Sequence, residues 1–178
     1  DNINLNQSQA AAARGQIELI SSWKNEFKKL NRQVAQILLS PSDTQNKKSS
    51  SNAIATLDNL LKLGCIPIIN ENDTTATEEI KFGDNDILAA RISKLINADC
   101  LILLSNVDGL YTSPPSKKEE AVLVENVLKI NKRIIDMAGE ASRHGKGGMI
   151  SKIKAAEICL KEKCSVIITS GSKKNPIM

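Results

Sequence analysis

Four short, mostly apolar runs punctuate the chain: Gln33–Leu39, Ile66–Ile69, Cys100–Leu104 and Ser165–Thr169. They are built from Val, Ile and Leu, and none alternates cleanly between polar and apolar residues. Runs this short suit strands buried on both faces rather than helices. Longer stretches with apolar residues at helical spacing lie among them. Asn6–Leu30 carries Ala10–Ala13, Ile17, Leu19, Ile20, Trp23 and Phe27, with Asn6 or Ser8 as its expected cap. Lys47–Leu63 carries Ile54, Leu57, Leu60 and Leu61 and stops at Gly64. The stretch after Asp84 carries Ile87, Leu88, Ile92, Leu95 and Ile96, and Met149–Lys161 carries Ile150, Ile153, Ala156, Ile158 and Leu160. Strand and helix alternate. That order predicts an α/β class: a three-layer αβα sandwich whose central sheet is mainly parallel.

The remaining segments are less regular. Pro41-Ser42-Asp43 ends the first strand, Tyr111–Glu120 is a loop rich in Pro and Lys, and His144–Gly148 is a glycine-rich turn. Ala121–Val124 is expected as a short strand and Asn131–Ala138 as a short helix. No repeat or clear domain boundary is visible, so residues 1–178 are expected as one domain. The pattern is already under way at Asp1, so the first strands of that domain are expected upstream.

The 178 residues suffice for a hydrophobic core, and aromatics at 2% leave it to Ile, Leu, Val and Ala. Scarce aromatics also exclude a base-stacking single-strand binder. The net charge of +4 arises from scattered lysines, which read as solvated faces rather than a nucleic-acid patch. Cys65, Cys100, Cys159 and Cys164 form no CxxC pair, and the one histidine, His144, is far from them in sequence. Reduced thiols in a cytoplasmic protein are the expectation, with no metal site. No run is long enough for a membrane span.

Chemistry concentrates at two places. The run Ile66–Ile69 is followed by Asn70-Glu71-Asn72-Asp73, four groups that hydrogen-bond or carry charge. In open α/β sheets ligands sit at the carboxyl ends of strands. Some dozen residues later comes Gly83-Asp84-Asn85-Asp86 at the head of a helix. A capped helix behind an acidic loop accounts for either half alone; together they read as two walls of one polar pocket. The second place is Gly145-Lys146-Gly147-Gly148-Met149-Ile150-Ser151-Lys152. Glycines let backbone N–H groups close on phosphate oxygens, and the helix that follows adds its positive end. A lysine in the first turn is unfavourable there unless an anion occupies the site. The stretch is not a Walker loop, and a structural helix-opening turn would give the same pattern.

In combination these motifs resemble the amino acid kinase family, and within it the glutamate 5-kinase branch. The residues that carry the likeness are INEND at Ile69–Asp73, KFGDND at Lys81–Asp86, LLSNVDGLY at Leu103–Tyr111 and GKGGMISK at Gly145–Lys152, with AAAARGQIELI at Ala10–Ile20 similar to a family helix bearing a GQ pair. The likeness covers nearly the whole chain. It implies transfer of the γ-phosphoryl group of ATP, carried with Mg2+, to the side-chain carboxylate of L-glutamate. The product is L-glutamyl 5-phosphate, at the start of proline synthesis. Lys152 and Asp86 are the implied catalytic pair, and Asp73, Asn85 and Asn70 the implied glutamate contacts. Ser105, Asn106, Lys146, Gly147, Gly148, Met149, Ile150, Ser151 and Lys152 are the implied nucleotide contacts, and Asp84 braces its loop. The likeness further implies a homo-oligomer, dimeric or tetrameric, open to feedback by proline, with neither nucleic acid nor membrane as partner. The alternatives are a related kinase acting on acetylglutamate, aspartate or UMP, or a regulatory module that binds an amino acid without catalysis.

Two departures concern the nucleotide: Ser105-Asn106 stands where the family has Thr-Asp, and Lys146 where it has Thr. The family's upstream Lys-x-Gly-x-Ser loop does not occur in residues 1–178, and the expectation is a kinase domain without its phosphate loop and without a PUA-type extension. The fragment alone is therefore expected to turn over negligibly.

Overall fold

The computed structural model describes residues 4–75, 84–113, 121–139 and 148–177. They fall into two compact units, Asp1–Phe82 and Gly83–Met178.

In the first unit, α1 (Leu5–Lys29) leads to β1 (Gln33–Leu39), then α2 (Pro41–Gln45), α3 (Lys47–Lys62) and β2 (Cys65–Glu71). Strands β1 and β2 pair in parallel from Gln33 opposite Cys65 to Leu39 opposite Glu71. The expected strand Ile66–Ile69 is thus longer at both ends. Backbone pairing with Leu38 and Leu39 is indifferent to side-chain polarity, so Asn70 and Glu71 lie inside the ladder, not beyond it. Asn4, rather than Asn6 or Ser8, caps α1. Its side chain accepts from the Gln7 N–H at 2.9 Å, and Gln7 accepts from the Asn4 N–H at 3.1 Å. Segment 41–45 is a short helix instead of a plain strand end. Pro41 supplies a preset φ at its first position, and Asp43 accepts from the Ser40 N–H at 2.7 Å. Asn46 caps α3, which buries Leu57, and Gly64 ends it with φ +72°, a conformation that favours glycine.

In the second unit, α4 (Asn85–Leu95) precedes β3 (Cys100–Ser105), and α5 (Lys132–Met137) and α6 (Met149–Lys161) precede β4 (Ser165–Ser170). Strands β3 and β4 are parallel, with Cys100 opposite Ser165. The α/β class with parallel strands expected from the sequence is what both units show. Ala121–Val124 is not a strand: among the described residues only Leu123 makes an antiparallel bridge, to Tyr111.

Helices α4 and α6 pack together over one face of the β3–β4 pair. Ala90 and Ala155 are wholly buried, and side chains this small suit close helix packing. Around them lie Leu103, Cys159 and Cys164, flanked by Leu101, Val166 and Ile168. Alternate residues of the same strands, Ile102, Leu104 and Ile167, are exposed. Burial holds the Cys159 thiol up at about 12, so it stays protonated. Helices α1, α4 and α6 end alike: Asn31, Asn97 and Lys163 take positive φ, and the next N–H reaches back to Phe27, Ser93 and Cys159.

Leu103→Ala should destabilise the protein by about 3 kcal/mol, read from urea unfolding, because it opens a cavity among close-packed side chains. A loss below about 1 kcal/mol would mean that this cluster is not the core of its unit.

Candidate active site

At the exit of β2, Asn70 and Glu71 are still in the ladder, and Asn72 and Asp73 turn out of it. The Asn72 N–H donates to the Leu39 carbonyl at 2.9 Å, so the turn is tied to the end of β1. Asn70 and Asp73 are therefore held close together in the first unit and are only partly exposed. Asn70 Nδ2 donates to Gln16 Oε1 of α1 at 2.9 Å.

In the second unit, Asp84 caps α4. Its Oδ1 accepts from the Asp86 N–H at 2.7 Å, which sets Asn85 and Asp86 in the first turn. The other oxygen, Oδ2, is buried with no hydrogen-bond partner among the described residues. Helix α6 opens at Gly148 without a side-chain cap, whereas Asn4, Asn46, Asp84 and Asn131 cap α1, α3, α4 and α5. The Ser151 N–H donates to the Gly148 carbonyl at 3.0 Å, and the N–H groups of Met149 and Ile150 take no side-chain cap from Gly148. In its first turn Lys152 extends to Asp86, with Nζ to Oδ2 at 2.7 Å. The two side chains are only 13% and 15% exposed. Lys152 and Asp86 are therefore in contact, and the contact links the heads of α4 and α6.

The Asp86 carboxyl is held above its usual 3.8. Burial is the largest cause. The Lys152 hydrogen bond and charge pull the other way, and the neighbouring Asp84 adds to the rise. Desolvation and the second carboxylate together outweigh an ion pair at contact distance.

Ser105 and Asn106 sit at the exit of β3, with Ser105 Oγ 3.4 Å from Asn106 Oδ1. The Ser105 carbonyl accepts from the Gly171 N–H at 2.7 Å, so the exits of β3 and β4 are joined. Lys146 and Gly147 lie outside the described residues, as do Lys81–Gly83; Gly148, Met149, Ile150 and Ser151 form the start of α6. Among the described residues, no group of three or more His, Cys, Asp and Glu could hold a metal ion. No described helix is long and apolar enough to cross a membrane.

Sequence reasoning gave Gln16 no contact of its own; the helix with a GQ pair was its only signal. It also missed a cavity of about 560 Å³ in the second unit, between α6, β4 and the stretches 108–110 and 123–130. That cavity is mainly apolar, with Leu110, Val124, Ile153 and Val166 in its wall, and none of the expected site residues lines it.

Comparison with known proteins bears on the family and the fold. A protein named glutamate 5-kinase from Paramagnetospirillum magneticum is 46% identical over 176 residues, covering 98% of this chain and 48% of that protein. Another so named, from Pelagibacter ubique, is 48% identical over 177 residues, covering 99% and 48%. The chain thus spans about half the length of these relatives. Among solved structures, a UMP kinase from Ureaplasma parvum superposes with a TM-score of 0.59 at 16% identity, over 88% of this chain and 59% of that one, a likeness of fold. Residues 1–170 match the description of one family throughout, and the chain belongs to the amino acid kinase family.

Proposed function

We propose that this chain is part of an enzyme that transfers the γ-phosphoryl group of ATP to the side-chain carboxylate of L-glutamate. The product is L-glutamyl 5-phosphate, the first intermediate of proline synthesis. The observation that carries this reading is the part-buried Lys152–Asp86 pair at the head of a helix that Gly148 opens without a side-chain cap. The two relatives named glutamate 5-kinase, at 46% and 48% identity, support the choice of substrate.

The reaction asks little covalent chemistry of the protein. A glutamate carboxylate oxygen forms a bond to the γ-phosphorus, and the bond to the β,γ-bridging oxygen breaks with its electrons going to ADP. The nucleophile is already ionised, so no general base is needed. What remains is positioning and neutralisation of charge. Lys152 neutralises charge on the transferring group. Asp86 keeps the ammonium in place and Asp84 keeps Asp86 in place through its backbone cap. Ser105, Asn106 and the stretch Lys146–Lys152 hold the nucleotide, with backbone N–H groups at Gly148–Ile150 on phosphate oxygens. Magnesium arrives on ATP as part of the substrate. Asp73 pairs with the α-ammonium of glutamate, and Asn70 and Asn85 complete its recognition. Cytoplasmic location, a homo-oligomer and inhibition by proline belong to the same reading.

The full-length enzyme of which this chain is part should form glutamyl hydroxamate from glutamate, ATP and hydroxylamine, and should not release ADP with aspartate, acetylglutamate or UMP. Turnover of any of these three without turnover of glutamate would replace the substrate. Asp73→Ala should raise the glutamate KM by a factor equivalent to about 2–4 kcal/mol and leave the ATP KM alone. Lys152→Ala should mainly lower kcat.

The raised Asp86 pKa gives a pH prediction with a defined sign. Protonation of Asp86 releases Lys152, so kcat/KM falls as pH drops through a value above 3.8. In Lys152→Met the two lowering causes are gone, and the Asp86 pKa, followed by carboxyl-carbon NMR, should rise further. A pKa that falls or stays put would show that Lys152 does not face this carboxylate in solution.

A further inference from the structure

Strands β3 and β4 end level with each other, Ser105 opposite Ser170, and the two stretches stay joined beyond the ladder. The Gly171 N–H donates to the Ser105 carbonyl at 2.7 Å. Further out, Lys173 Nζ lies 2.9 Å from Asp108 Oδ1. The Lys173 side is itself folded back on the strand end, since the Ser172 N–H donates to Ser170 Oγ at 3.3 Å. On the Asp108 side the chain next runs close against its surroundings at Gly109. A Cβ there would come within 3.1 Å of Leu123 Cδ1 and 3.6 Å of the Ile168 carbonyl oxygen. The turn that carries Asn106 is therefore held at Ser105 and again at Gly109.

Between those two points, residues 106–108 make no backbone–backbone hydrogen bond among the described residues, and Asn106 is exposed. Ser105 Oγ reaches Asn106 Oδ1 only at 3.4 Å, long for a hydroxyl donor. The short tie on this stretch is the ion pair to Lys173. Its side chains are 55% and 40% exposed, so it contributes little to stability. What it changes is shape. A turn without hydrogen bonds of its own samples several conformations, and a tie at Asp108 removes most of them before a ligand has to.

We propose that Lys173 is a positioning residue for the nucleotide. By holding Asp108 it fixes the turn at the exit of β3, so that Asn106 is presented to ATP, and it sets ATP affinity without touching the nucleotide. This rests on the assignment of Ser105 and Asn106 to the nucleotide made above.

The test uses the full-length enzyme and reads ATP binding by calorimetry alongside the kinetics. Lys173→Met and Asp108→Asn should each weaken ATP binding and raise the ATP KM by about three- to fivefold, the size of one half-exposed ion pair. In both, kcat and the glutamate KM should stay within about twofold of wild type. Lys173→Arg, and the exchange of Asp108→Lys with Lys173→Asp, should return ATP affinity to within about twofold of wild type. Thermal midpoints should hardly move, which separates positioning from folding. A change in ATP affinity below about twofold in both single variants overturns the proposal. So does a loss in Lys173→Met that Asp108→Asn does not share, because the ammonium would then act on the nucleotide itself. A Lys173→Arg variant as weak as Lys173→Met overturns it too. Should Lys173→Met not fold, Asp108→Asn decides alone on the same twofold limit. A wild-type enzyme that binds no ATP defeats the functional reading and this inference with it. A wild-type enzyme that binds ATP and does not phosphorylate glutamate defeats the choice of acceptor, and the variants then decide this inference by calorimetry.

Discussion

The contact between Lys152 and Asp86 is the constraint around which the second unit is arranged. It joins the first turns of α4 and α6, the two helices that cover one face of β3 and β4. A buried ion pair is weak evidence of stability, because desolvation can exceed the attraction. Here the balance is visible: burial and Asp84 hold the Asp86 carboxyl above its usual range despite a lysine at 2.7 Å. The pair is better understood as fixing a position. An ammonium in the first turn of a helix is disfavoured by the dipole, and Asp86, in the first turn of its own helix, offsets that cost. An arriving phosphate would remove the remaining imbalance.

Backbone geometry delivers polar groups to the strand exits in both units. Parallel strands need crossover connections, so their carboxyl ends line up with loops and helix starts. In the first unit the exit of β2 holds Asn70 and Asp73, with the turn tied back to β1 through Leu39. In the second, Ser105 and Gly171 join the exits of β3 and β4. Neither set depends on an unusual loop. Each follows from where a parallel strand ends and which side chain comes next.

Much of this was legible in the residues. The long helices and the strands were marked by periodicity and by terminators such as Gly64, and Lys152 with Asp86 followed from a family likeness rather than from spacing. What failed, failed for identifiable reasons. Asn70 and Glu71 lie inside β2 because ladder hydrogen bonds do not consult side chains. The helix at Pro41–Gln45 depends on Ser40 and Asp43 as a cap, and the same letters also spell a turn. Asn4 won over Asn6 and Ser8 because Gln7 could answer it. Lys163 takes positive φ with nothing in its identity to announce it. The Gln16–Asn70 bond joins residues far apart in sequence, and no local pattern carries such a contact.

The central claim is that Lys152 and Asp86 act as one unit in phosphoryl transfer. A double-mutant cycle on kcat/KM tests it most directly, using Lys152→Met, Asp86→Asn and the combination. The account predicts strong non-additivity: the double variant should be little worse than the poorer single one, with a coupling energy above about 1.5 kcal/mol. Losses that simply add, with coupling below about 0.5 kcal/mol, would mean that the two side chains touch but do not work together.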